Sequence, residues 1–161
     1  MKREEIPQQY KWKMEDLYAT NELWEADFEK LQKGIAEIKR FEGTLAESAD
    51  NLLKMQMACD ELNELAENVY VYANQRFHED TGNSYYQGLA GKAQMLLVQM
   101  SEASSYIEPE LLGIPEETLK EMLESEVLAK YRTYFGRILK KKAHVLSGEM
   151  EELLAGAREI G

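Results

Sequence analysis

The sequence predicts an all-α fold, an elongated helical domain built on a long antiparallel helical hairpin with shorter helices flanking it. Three observations carry that prediction. Apolar residues recur at spacings of three and four through most of the 161-residue chain, the mark of helices with one buried face. Prolines number three and glycines ten, too few to break long helices or to supply the many turns of a sheet protein. Hydrophobic residues make up 44% and charged residues 30%, which fits one domain, residues 1–161, with a real core rather than a disordered or fibrous chain.

An irregular arm comes first. Thr20 or Asn21 then caps a helix to about Arg40, with Glu22 and Glu25 near its positive end. Leu23, Trp24, Phe28, Leu31, Ile35 and Ile38 form its inward face. Gly43 offers the chain a way out of that helix. Ser48 begins the longest element, which runs to about Glu79 and would measure ~48 Å at ~1.5 Å per residue. Leu52, Met55, Cys59, Leu62, Ala66, Val69 and Ala73 form its seam, widened by Leu53, Ala58, Leu65 and Tyr72. Replacing Leu62 by alanine should cost ~2–5 kcal/mol if that seam is the core.

Asp80-Thr81-Gly82-Asn83 reads as the turn, with Asn83 or Ser84 as the next cap. The return arm extends to about Ile107 on Tyr86, Leu89, Ala93, Leu96 and Met100, and Pro109 ends it. Gly88 and Gly91 cost about 1 kcal/mol each inside a helix. Their nearness predicts a small patch where another helix packs closely, with a ligand groove as the other reading. Pro115 opens a short helix, with Glu116 and Glu117 behind it. A further helix spans roughly Glu126 to Lys142, turning Leu128, Tyr131, Phe135, Ile138 and Leu139 inward. The last begins at Ser147 and meets Gly161 after few turns, so the chain reads as cut rather than finished.

Enzyme chemistry has little to stand on. The histidines are His78 and His144. His78-Glu79 resembles the opening of His-Glu-x-x-His, but the residue four after His78 is Gly82. One imidazole without a partner cannot hold zinc. The di-iron carboxylate pattern needs Glu-x-x-His, and Gln75 and Lys141 occupy those positions. No P-loop, dinucleotide fingerprint or Gly-x-Ser-x-Gly elbow is present. Catalytic, cofactor-binding and metal-ligating residues are therefore all expected to be none. The lone Cys59 reads as a small core hydrophobe and fits a reducing cytoplasm. A net charge of −11 argues against nucleic acid as a partner. Lys140-Lys141-Lys142 reads as cations at a helix C-terminus. Neither a signal peptide nor a membrane span is expected. Tyr70, Tyr72, Phe77, Tyr85, Tyr86 and Tyr106 gather along the hairpin, either as core and boundary packing or as a wall gripping an extended peptide.

Ordered segments carry a resemblance. Tyr10-Lys11-Trp12-Lys13-Met14-Glu15-Asp16-Leu17-Tyr18, Phe41-Glu42-Gly43-Thr44-Leu45, and Tyr70-Val71-Tyr72-Ala73 with Asp80-Thr81 and Tyr86-Gln87 come first. Tyr106-Ile107-Glu108-Pro109-Glu110-Leu111-Leu112, Tyr131-Arg132-x-Tyr134 and His144-Val145-Leu146-Ser147 before Glu151-Glu152-Leu153-Leu154-Ala155 follow in order. Together they resemble the N-terminal region of oligoendopeptidase F, a zinc metallopeptidase family of the thimet-oligopeptidase superfamily. Met14 stands where that family usually has leucine. The resemblance implies a non-catalytic N-terminal domain forming one wall of a peptide channel, inactive alone. It places the zinc ligands and catalytic glutamate in a downstream domain that this chain lacks. It also implies oligopeptide substrate and that catalytic domain as partners. The alternative is a free-standing helical module that binds a peptide or protein, and a hydrolase acting through this segment alone ranks last.

Overall fold

The computed structural model of the chain describes residues 5–142. Every regular element among them is helical, which bears out the all-α class. Six α-helices follow one another: α1 Asn21–Ile38, α2 Ala49–Glu79, α3 Ser84–Ser104, α4 Ile107–Gly113, α5 Glu116–Glu124 and α6 Arg132–Lys142. Two compact units result. One comprises Met1–Gly43 and Lys54–Ile107, the other Thr44–Leu53 and Glu108–Gly161.

The first unit is a three-helix arrangement of α1, most of α2, and α3. Thr20 caps α1 by accepting from the Leu23 amide at 3.4 Å. The Trp24 indole N–H donates to the Val69 carbonyl at 2.8 Å. The Tyr72 hydroxyl donates to Asn21 Oδ1 at 2.9 Å. Early α1 thus meets late α2, so the two helices run antiparallel. At the hairpin turn the Asp80 carboxylate accepts from the Gly82 amide at 3.1 Å. Asn83 Oδ1 then accepts from the Tyr85 and Tyr86 amides at 3.1 and 3.4 Å. That turn reverses the chain, and α3 runs in the sense of α1. Its far end is tied to the far end of α1 by the Tyr106 hydroxyl, which donates to the Ile38 carbonyl at 2.7 Å. Trp24, Leu31, Leu62, Val69, Tyr72, Ala73, Leu89, Ala93 and Leu96 form one buried cluster with Met14 and Tyr18 of the N-terminal arm.

In the second unit, Gly43 at φ +82° ends the first helical passage, a conformation that suits glycine. Leu45 is wholly buried, and its amide donates to Glu110 Oε1 at 2.7 Å. Ser48 accepts from the Asn51 amide at 3.1 Å and so caps α2. Leu111, Ile114, Leu119, Leu128 and Phe135 are buried here. Arg132 closes the bend after α5, donating to the Leu123 and Glu124 carbonyls at 3.0 and 3.3 Å and to Glu126 at 2.9 Å.

Four expectations are corrected. Leu23 is 53% exposed, because its neighbour Trp24 takes the inward direction on α1. The return arm stops at Ser104, and Pro109 lies in the first turn of α4 instead of ending a helix. A proline is tolerated there because amides of the first turn have no intrahelical acceptor. The expected helix from Glu126 begins as a 3-10 turn, Glu126–Tyr131, and becomes α-helical only at Arg132. Ile138 and Leu139 are half-buried rather than core. The helix expected from Ser147 lies outside the described residues.

Candidate functional site

The residues that sequence chemistry singled out do not converge. His78 is exposed near the end of α2, its ring 5.4 Å from Phe77. Glu79 is engaged by Arg76 at 3.1 Å. No group of three or more potential ligands that could hold a metal occurs among the described residues, and His144 lies outside them. The donor set present therefore does not fit a zinc ion.

Cys59 is half-buried on α2, with its thiol 3.6 Å from the Met55 sulfur. Burial, with the Asp60 charge beside it, pushes the thiol up to about 11. A thiol so disposed is a poor nucleophile near neutrality.

The aromatic set divides. Tyr72 is buried and meets Tyr18 edge-on at 5.3 Å between centroids. Burial, and then the bond its hydroxyl donates to Asp27 at 3.0 Å, raises the pKa of Tyr18. Tyr85 is 46% exposed. Between these extremes stands Arg76, which the sequence pattern does not single out. Its guanidinium lies over the Tyr72 ring at 5.4 Å and the Tyr86 ring at 6.0 Å. It reaches Glu15 of the N-terminal arm at 2.8 Å. Burial opposes the charge, but hydrogen bonds involving Tyr72, Glu15 and Glu79 hold its pKa above the ordinary value.

Gly88 and Gly91 are corrected. A Cβ added at either would meet nothing within 4 Å, so no helix packs on them. With Met95, 64% exposed, and Val98, 49% exposed, they form an open stripe along α3. The close approach occurs at Gly34, where a Cβ would lie 2.3 Å from Leu62 Cδ2. A glycine inside the apolar run Leu31 to Ile38 was the available signal. Beside this contact α1 and α2 leave a groove of about 460 Å³, with Ala58, Leu62 and Leu65 below and Glu37, Glu61 and Glu64 at its edge.

A family model described as Oligopeptidase F matches residues 110–161. The chain is 38% identical to Oligopeptidase PepF of Bacillus subtilis (strain 168) over 98% of its length, covering 24% of that protein. It is 40% identical to Group B oligopeptidase PepB of Streptococcus agalactiae over the same share, covering 26% of that protein. The crystal structure of oligoendopeptidase-F from Enterococcus faecium superposes with a TM-score of 0.68 at 34% identity, over 87% of this chain and 27% of that one. The chain belongs to the oligoendopeptidase F family. It spans about a quarter of the length of the relatives it matches. A solved chain from Chlamydophila abortus shares the fold, with a TM-score of 0.80 at 23% identity over 97% of this chain and 27% of that one.

The segments that carry the oligoendopeptidase F resemblance do structural work where the structure describes them. Met14 and Tyr18 anchor the arm, Gly43 and Leu45 fix the exit from the first helix, and Tyr106 and Arg132 close helix ends. Trp12 is the exception, at 78% exposed.

Proposed function

We propose that this chain is the single, non-catalytic N-terminal domain of a zinc-dependent oligoendopeptidase, forming one wall of the channel that admits short peptides. The supporting observation is the match over 98% of the chain to about a quarter of peptidase relatives. The described donor set, with a solitary exposed His78, supplies no zinc site of its own. Zinc, the groups that bind it and the peptide-cleaving chemistry therefore belong to a downstream catalytic domain, which is the partner of this one. A cytoplasmic location is part of the same reading, and no described helix is long and apolar enough to cross a membrane.

The test compares the 161-residue chain with the full-length gene product on a quenched fluorescent peptide, each with equimolar zinc. Cleavage by the full-length product alone is expected. Cleavage by the chain alone that disappears in His78→Ala would sink the proposal.

The open stripe Gly88, Gly91, Met95 and Val98 favours a second reading, a free-standing module that docks a partner helix. The intact mass of the natural protein separates the two. A mass several times that of this chain excludes the second reading, and a mass equal to it excludes the first.

A further inference from the structure

We propose that the groove between α1 and α2 binds a cationic oligopeptide segment in which basic side chains alternate with apolar ones. The inference stands on this chain alone and does not depend on catalysis by a larger protein.

The floor is apolar. Leu62 is 7% exposed, and Leu65 and Ala58 are half-buried beside it. Because residue 34 has no side chain, the α1 backbone comes close to Leu62, and the surface dips there. A volume of about 460 Å³ lies within the range of small-ligand clefts, which are largely apolar with a few fixed polar groups.

The edge supplies charge of one sign. Glu37, Glu61 and Glu64 face Lys30 across the groove. Glu37 already pairs with Arg40 at 2.6 Å. Glu61 and Glu64 are exposed, and no ion pair involves either among the described residues. Standing three residues apart on α2, they repel each other, and a cation between them relieves that repulsion. An occupant must therefore bring positive charge to the edge and an apolar group to the floor. A basic, apolar peptide supplies both. A polyamine offers only the charge, and an acidic peptide is repelled.

Fluorescence anisotropy with a labelled hexapeptide alternating arginine and leucine tests this on the whole chain. Glu61→Lys with Glu64→Lys should weaken binding about tenfold or more, and replacing the peptide's leucines by serine should do likewise. The same charge change at Glu25 and Glu102 should shift affinity less than about twofold, since those acids lie away from the groove. Amide shifts on titration should centre on Gly34, Leu62 and Leu65. Equal losses from the two charge-reversed pairs would reduce the effect to the field of an acidic protein and overturn the proposal. Equal binding of spermidine or of the serine peptide would overturn the apolar floor. Shifts centred on the α3 stripe would place the site elsewhere.

Discussion

Arg76 is held from several directions at once, by two tyrosine rings and two carboxylates. It fastens the N-terminal arm to the end of the hairpin through Glu15. Arg76→Ala should cost about 2–3 kcal/mol, the worth of hydrogen bonds to charged groups together with the ring contacts. Denaturant titration measures the loss, and amide exchange at Met14 to Tyr18 should quicken as the arm comes free. Cys59 gives the pH dependence at this scale. Its thiol stands at about 11 against an ordinary 9.0, so alkylation near pH 8 should be on the order of 100-fold slower in the native chain than in denaturant. The sign for stability follows. The folded pKa lies above the unfolded one, so this contribution is complete below pH 9 and is lost as pH rises towards 11. A native alkylation rate equal to the denatured one would show that the thiol is not protected.

Helices α1 and α2 touch where glycine meets leucine, and α3 carries glycines that meet nothing. These two situations predict opposite signs for one substitution. At Gly88 and Gly91, alanine enters open space on an exposed helix and should stabilise by roughly 0.5–1 kcal/mol each. At Gly34 the added methyl runs into Leu62. The helix-propensity gain of about 1 kcal/mol is then outweighed by an overpacking cost of about 1–3 kcal/mol. Gly34→Ala should therefore destabilise, and adding Leu62→Ala should make the pair less costly than the sum of its parts. Leu62→Ala alone should cost ~2–5 kcal/mol, since the side chain is 93% removed from solvent by its 7% exposure. Thermal and urea melts of the four variants decide the signs.

At the scale of the whole molecule, α2 is one continuous helix whose first residues belong to one compact unit and whose remainder belongs to the other. If the chain is a single domain, both units should unfold together. Trp12 and Trp24 lie in the same unit, so fluorescence reports on that unit while far-ultraviolet circular dichroism reports on both. Coincident urea transitions by the two probes are expected. A resolved second step in dichroism would show two domains. The charge of −11 belongs to this scale too, because it draws cations to the surface without choosing a place for them.

The sequence by itself determined the helical class, the hairpin turn, the caps at Thr20, Ser48 and Asn83, and most of the α2 seam. Each rests on local spacing or local hydrogen bonding, which neighbours in the chain suffice to specify. The family, too, was legible in the order of its segments. Tertiary structure alone decided which glycine is a contact and which is bare, because close approach depends on the partner helix rather than on the glycine. It also decided that Trp24, not Leu23, turns inward, and that Pro109 starts a helix instead of ending one. The groove beside Gly34 and the cage around Arg76 could not be read in advance for the same reason. Their walls are residues far apart in sequence, and only packing sets the distances between them.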